Sequence, residues 1–331
     1  LYGWEIYMKR FIIYTLFCCL AALNPALAQH MVQKQGYLTE DLYYTGLPDY
    51  PPFSQYLAEK QGIYSLESAF LKPIKDIAKK YDFKIKDEAM VERASLQTVI
   101  LDIRSGKSQI FIGAYSDTKL FTGIHLIYPA SVSNPIHVIT LPDDQEKIKS
   151  SKDLAALRGV ISKTEYVSDF VLRKIKPLNL TFAETPYEAY EKLFTGEADY
   201  ILGGLYYNRI MASRYGIEQY LAYSKKPLFK IPVFVALSKV MPKLSLYDKI
   251  FSQEFNKPEF GNAVKKEILR MVEDEIAKNQ GIVPPAFAKK AAPQTEETEL
   301  PAADAPGENS GGRVLEQKVE QKSFDEVLDG I

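Results

Sequence analysis

The chain has little of what redox, metal and nucleophilic chemistry require. Its only two cysteines, Cys18 and Cys19, stand side by side inside an apolar run near the amino terminus. Once that run is removed no thiol is left, which excludes disulfides and thiolate catalysis. The three histidines, His30, His125 and His137, are dispersed and show no metal-ligand spacing. There is no glycine-rich phosphate loop, since Gly203-Gly204 stands alone, and no G-x-S-x-G elbow. No cofactor is expected. Net charge is also scarce: 41 basic against 42 acidic residues give −1 over 331 residues, which argues against nucleic acid as the partner.

The amino terminus reads as an export signal. Met8-Lys9-Arg10 is a short basic segment, Phe11 to Leu23 is apolar, and Ala26-Leu27-Ala28 has the A-x-A form of a cleavage site. The apolar run is too short for a typical membrane span. Residues 1–28 are therefore expected to be an upstream segment plus signal peptide, cleaved after Ala28, and the mature protein is expected in the periplasm. Phe17 ahead of the cysteines does not suit a lipoprotein box.

The other end changes character at Pro284. From there to Ile331 the chain holds five basic and ten acidic residues among Pro, Ala, Glu, Thr and Gly. Such a composition buries too little apolar surface to offset its ordering entropy, so 284–331 reads as a mostly disordered acidic tail. Within it Leu315, Val319, Phe324, Val327, Leu328 and Ile331 recur at near-helical spacing, which suits docking on a protein partner.

Between these ends the pattern is α/β. Helices are expected over Ser65–Tyr81 (with Pro73 forcing a kink or a start nearer Leu71), Ala94–Arg104, Ser151–Leu157, Tyr166–Ile175, Pro186–Thr195, Leu246–Phe255 and Glu259–Asn279. Strands are expected at Leu42–Gly46, Gln109–Gly113, Val160–Ile161, Asp199–Leu202 and Phe234–Leu237. Alternation with short connections implies parallel sheets, with ligands at strand ends. One such end carries Asp49-Tyr50-Pro51-Pro52-Phe53, where two prolines stiffen a turn holding two aromatic rings.

Four segments, in order, resemble the family 3 periplasmic solute-binding proteins, the amino-acid receptors of ABC importers. Gly46 to Phe53 is similar to the first pocket loop of that family. Leu101 to Gly113 is similar to its helix, SGK turn and strand. Ser151 to Val160 looks like its S-L-x-D-L-x-G-x-x-V element, and Glu188 to Tyr200 its E-A-x-x-x-L-x-x-G-x-x-D-A element. The resemblance implies the type II periplasmic-binding-protein-like fold: two α/β lobes, two crossover strands at the hinge, closing over a ligand as a clamp. Lobe one would be 36–133 plus 227–283 and lobe two 134–226, with Asn134–Leu141 and Leu228–Leu237 near the hinge. A small-molecule ligand and ABC permease subunits are the partners it implies.

The departures from the family bear on the ligand. Its amino-acid binders grip the ligand carboxylate with an arginine fork a few residues after the strand matching Gln109–Gly113. Here Leu120 stands there, and no arginine occurs from Ser105 to Leu157. The family's aspartate after the lobe-two strand is replaced by Gly203 and Gly204, with no acidic residue from Tyr200 to Ile217, and its acidic motif at the first helix is replaced by Ala69 and Phe70. Both charged grips on an α-amino acid are expected to be absent, and a zwitterion would then be desolvated without partners.

What remains at the expected strand ends is aromatic and hydroxylic. Tyr50 and Phe53 belong to the first loop; Tyr115, Ser116 and Asp117 follow the strand ending at Gly113. Thr164 and Tyr166, flanking Glu165, sit where a helix N-terminus would point N–H groups at an anion, and Tyr206 follows Gly203-Gly204. These residues suit a planar, polar, weakly charged molecule. Three functions remain open on the sequence: capture of such a solute for an importer, a non-transport interaction or sensing module, and a periplasmic lyase using Asp117 or Glu165 as acid or base. The first is preferred, with no enzymatic activity.

Overall fold

The computed structural model describes residues 41–58, 64–86, 95–115, 121–148, 150, 152–165 and 169–289. Residues 1–40, where the export signal is expected, and the chain beyond 289 lie outside them. The first part of the chain forms β1 (Asp41–Gly46), β2 (Asp49–Tyr50), β3 (Ser54–Ala58), β4 (Tyr64–Glu67), α1 (Leu71–Lys80), β5 (Lys84–Lys86), α2 (Leu96–Ser105), β6 (Ile110–Ala114), β7 (Ile124–Leu126) and β8 (Val132–Thr140). Then come β9 (Gly159–Ser162), α3 (Asp169–Ile175), β10 (Leu180–Ala183), α4 (Pro186–Phe194), β11 (Tyr200–Gly204), α5 (Leu205–Arg214) and β12 (Ala222–Tyr223). The chain closes with β13 (Phe229–Ser238), α6 (Leu244–Phe255), α7 (Pro258–Lys278) and α8 (Ala286–Lys289).

These elements divide into two compact units. One takes the described residues up to Ser133 together with Pro232–Asp274; the other takes Asn134–Ile231 and the described residues from Glu275. In the first unit β1 lies between β5 and β6, parallel to both, and β13 runs antiparallel to β6 and β7. A separate antiparallel sheet, β2-β3-β4, follows β1. In the second unit β10, β9 and β11 are parallel, β8 runs antiparallel to β11, and β12 antiparallel to β8.

Local chemistry sets the helix ends. Ser95 accepts the Thr98 N–H at 3.1 Å to cap α2, and Gly106, at φ 79°, lets the chain leave it in the left-handed region. Thr185 accepts the Glu188 N–H at 3.2 Å to cap α4, whose first residue is Pro186. The helix expected over Ser65–Tyr81 is shorter. Tyr64–Glu67 is a strand, because it finds a non-local partner in β3, and α1 begins at Leu71. Ser65 is therefore no cap, and Pro73 falls in the first turn, where its missing N–H has no intrahelical acceptor to lose. The expected helix at Ser151–Leu157 is a 3-10 turn, Asp153–Ala156.

In the first unit Phe83 meets Tyr247 and Phe251 edge-on, with ring centroids 5.4 and 5.9 Å apart, and Phe251 is fully buried. In the second, the chain just past Pro284 is folded rather than part of the tail. Phe287 of α8 packs edge-on against Tyr187 of α4 at 5.3 Å and lies tilted against Phe194 at 5.5 Å, and Ala288 is fully buried. Apolar burial on α4 orders a segment whose composition alone suggested disorder.

Candidate functional site

In the second unit the carboxyl ends of β9 and β11 carry a buried polar cluster. The chain leaves β9 through Lys163-Thr164-Glu165, a turn closed by the Glu165 N–H on the Ser162 carbonyl at 3.0 Å. This turn brings Glu165, only 5% exposed, onto the end of β11. Its Oε1 accepts the Gly204 N–H at 3.0 Å and the Asn208 side-chain amide at 2.6 Å. The Asn208 amide also donates to the Gly204 carbonyl at 3.0 Å, and its Oδ1 accepts the Tyr190 hydroxyl at 3.0 Å. Asn208 thus uses both amide hydrogens and its oxygen. Gly204 is the N-cap of α5 and brings no capping side chain; Glu165 supplies the negative group that a helix N-terminus favours.

Gly203 is small because the cluster needs the room. A Cβ there would lie 2.3 Å from Asn208 Nδ2 and 2.6 Å from Glu165 Oε1. The sequence places no acid between Tyr200 and Ile217. The fold nevertheless brings a carboxylate to the end of β11 from the turn after β9, bonded inward to Gly204 and Asn208. No arginine is similarly recovered from Ser105–Leu157.

Around this core lie hydroxyls and rings. Thr164 Oγ1 is 3.0 Å from the Tyr207 hydroxyl and 2.8 Å from Ser162 Oγ. Burial pushes the Tyr190 hydroxyl well above its ordinary range and also raises Tyr206, which is 8% exposed. The helix after Glu165, α3, is seven residues long and begins at Asp169; Tyr166 lies outside the described residues.

In the first unit the Tyr50–Phe53 turn is a tight hairpin that joins β2 to β3. The two rings stack at 6.0 Å with 19° between their planes, and both are at most 2% exposed. Ser54 Oγ donates to the Leu47 carbonyl at 2.8 Å, and the Ala69 N–H to the Pro52 carbonyl at 3.0 Å. A Cβ on Gly46 would meet Ser54 Oγ at 2.2 Å, so the glycine permits this closure. Tyr115, just past β6, is 1% exposed. Ser116 and Asp117 lie outside the described residues. The structure thus brings Tyr50 and Phe53 together, and joins Thr164 to the Glu165 neighbourhood. Tyr190, which joins through its hydroxyl on Asn208, is the member whose place here the sequence does not mark.

His137 stands opposite Gly203 in the β8–β11 ladder. It is 3% exposed, its Nδ1 lies 2.7 Å from the Ser224 carbonyl, and its Nε2 has no partner. Burial lowers its pKa below the usual 6.5, against the opposing pull of the Ser224 carbonyl. The folded state therefore binds a proton less readily than the unfolded chain. Stability contributed by neutral His137 is present above about pH 6.5 and is lost as pH falls toward the folded value. The shifted carboxylates act lower. Burial opposes ionisation of Glu254, yet bonds from Lys257, Lys80 and Tyr81 hold it at about 2, so its contribution is lost only below the ordinary carboxylate range. Denaturant melts at pH 5.5 and 7.5 are expected to differ, and His137→Gln to shrink that difference; an unchanged difference in the variant would exclude His137 as its source.

Among the described residues no group of three or more His, Cys, Asp or Glu is placed to hold a metal, and no helix is long and apolar enough to cross a membrane.

No family model and no curated protein matches the chain. Solved structures do. An amino-acid ABC transporter substrate-binding protein from Streptococcus pneumoniae bound to L-arginine aligns at 16% identity and TM-score 0.51, over 75% of this chain and 99% of its own. A putative binding component of an ABC transporter from Wolinella succinogenes complexed with lysine aligns at 19% and 0.51, over 70% and 94%. The Bordetella pertussis BvgS periplasmic VFT2 domain aligns at 12% and 0.51, over 70% and 92%. At these identities the likeness establishes the fold, which is the two-lobed type II periplasmic-binding-protein fold.

Proposed function

We propose that this chain, on the type II periplasmic-binding fold, is an exported solute-binding protein that captures a small polar or aromatic molecule other than a standard α-amino acid and serves an ABC importer. The observation that carries the reading is the end of β11. The carboxylate there comes from Glu165, is nearly inaccessible, and is bonded to Gly204 and Asn208. With no arginine from Ser105 to Leu157, a zwitterion would lose its hydration without a bidentate partner for its carboxylate. The L-arginine and lysine bound by the S. pneumoniae and W. succinogenes proteins are therefore the wrong chemistry for this chain. Tyr50, Phe53, Tyr115, Ser116, Asp117, Thr164, Tyr166 and Tyr206 are the proposed ligand-binding side chains, with the buried Tyr50, Phe53 and Tyr115 as packed backing rather than first contacts. The proposed location is the periplasm, and Glu165 acts as a brace and not as a catalytic acid.

A second reading, a non-transport interaction module, is favoured by the acidic tail with its terminal apolar repeat at Leu315 to Ile331. Mass spectrometry of small molecules released by denaturing protein purified from the periplasm tests the first. A neutral or weakly charged polar or aromatic compound at near-stoichiometric yield supports capture. A standard α-amino acid contradicts it, and an empty protein shifts the weight to the interaction module.

A further inference from the structure

A cavity lies in the second unit, away from the Glu165 cluster. Its volume is about 600 Å³, within the range of small-molecule sites. Its floor is the end of β8. Val138 and Thr140 face it, while Ile139 and His137 alternate to the other side of the strand. Ile139 pairs with Ile201 and His137 with Gly203, so Thr140 lies beside the start of β11, some four residues from Gly204. At about 3.3 Å per strand residue that is roughly 13 Å from the Glu165 site.

One wall is the 3-10 turn Pro142–Lys147, which presents Gln145 and Glu146; its position is fixed by the Gln145 amide on the Tyr223 carbonyl at 3.0 Å. The other wall is the strap Ser224–Leu228, laced to β8 by three bonds. The Ser224 N–H donates to the Val138 carbonyl at 2.9 Å, the Val138 N–H to Ser224 Oγ at 3.2 Å, and the Leu228 N–H to the Ile136 carbonyl at 2.7 Å. Ile148, Leu154 and Leu228 add apolar surface.

Two features of the lining look for a ligand. Thr140 is 2% exposed, and its hydroxyl has no hydrogen-bond partner. A buried hydroxyl without a partner costs about 1–3 kcal/mol, which a bound polar group would recover. At the rim Lys225 and Lys226 are exposed, and among the described residues neither forms an ion pair; Glu146 is the one acidic group in the lining.

We infer that this cavity is a second small-molecule site, built for an amphipathic monoanion whose carboxylate faces Lys225, Lys226 and the Thr140 hydroxyl while its apolar body rests on Val138, Ile148, Leu154 and Leu228. The inference stands independently of the capture function assigned to the end of β11.

Isothermal titration of the full-chain protein with octanoate and 4-phenylbutyrate, each paired with its neutral amide, tests it. At least one acid binds saturably, its amide binds about tenfold more weakly or worse, and the K225Q/K226Q double variant loses about the same factor, as removal of charge-assisted partners requires. Both lysines are exposed, so that variant keeps its fold. Thr140→Val weakens the acid further, and Leu228→Trp blocks it by filling the cavity. Equal affinity for acid and amide, undiminished binding in K225Q/K226Q, or no saturable binding of either acid up to millimolar concentration would overturn the inference.

Discussion

Replacing Glu165 with leucine is expected to lower the stability of the second unit by about 3 kcal/mol. The carboxylate of Glu165 accepts two amide donors inside a site with almost no water access. Leucine removes the acceptor and leaves the Gly204 N–H and one Asn208 hydrogen unpaired, each costing about 1–3 kcal/mol when buried. Glutamine keeps an oxygen for at least one of them and loses only the charge assistance, so Glu165→Gln is expected to cost about half as much. Gly203→Ala attacks the same cluster sterically, because its Cβ would overlap both Asn208 and Glu165. Neither partner can retreat without breaking its bonds, and overpacking of this kind costs about 1–3 kcal/mol. Urea unfolding of the three variants gives the ranking. A loss below about 1 kcal/mol for leucine would mean that the carboxylate does not brace the end of β11.

Phe251→Ala should cost still more, about 3–5 kcal/mol, this time in the first unit. The ring is fully buried, edge-on to Phe83 at 5.9 Å and tilted against Phe255 at 5.7 Å. Its removal forfeits the transfer energy of a phenyl group, the edge-to-face contact and the fit of α6. Phe251→Leu refills part of the space and is expected to recover more than half of the loss. Because the residue belongs to the other compact unit, the damage should add to that of Glu165→Leu in the double variant. A Phe251→Ala loss under about 1.5 kcal/mol would place the ring outside a close-packed core.

The parts of this fold legible in the sequence are those set by neighbours along the chain. Ser95 and Gly106 bracket α2, and Thr185 and Pro186 open α4, because caps and breakers act within one turn. The parts that were not legible depend on distant pairing. Tyr64–Glu67 reads as the front of a helix until β3 claims it as a strand partner. Helix α5 leaves no period in the sequence: Leu205 to Asn208 and Ile210 to Ser213 are all buried, so it has no polar face to mark one. The site divides in the same way. The missing arginine is a plain fact of the sequence. That Glu165 reaches Gly204, which stands 39 positions further along the chain, follows only once β9 and β11 are known to be parallel neighbours.

A protein without the charged grips on an α-amino acid should not be stabilised by one, and thermal unfolding of the full-chain protein against a metabolite panel measures this. A bound ligand raises the midpoint by mass action. The panel should hold all standard amino acids, organic acids, aromatic compounds and small sugars. The expected result is a rise with a neutral or weakly charged polar or aromatic compound and none with any standard amino acid. A clear rise with an ordinary amino acid would require a charged grip that neither Leu120 nor the buried Glu165 provides, and would rule out a non-zwitterionic ligand preference.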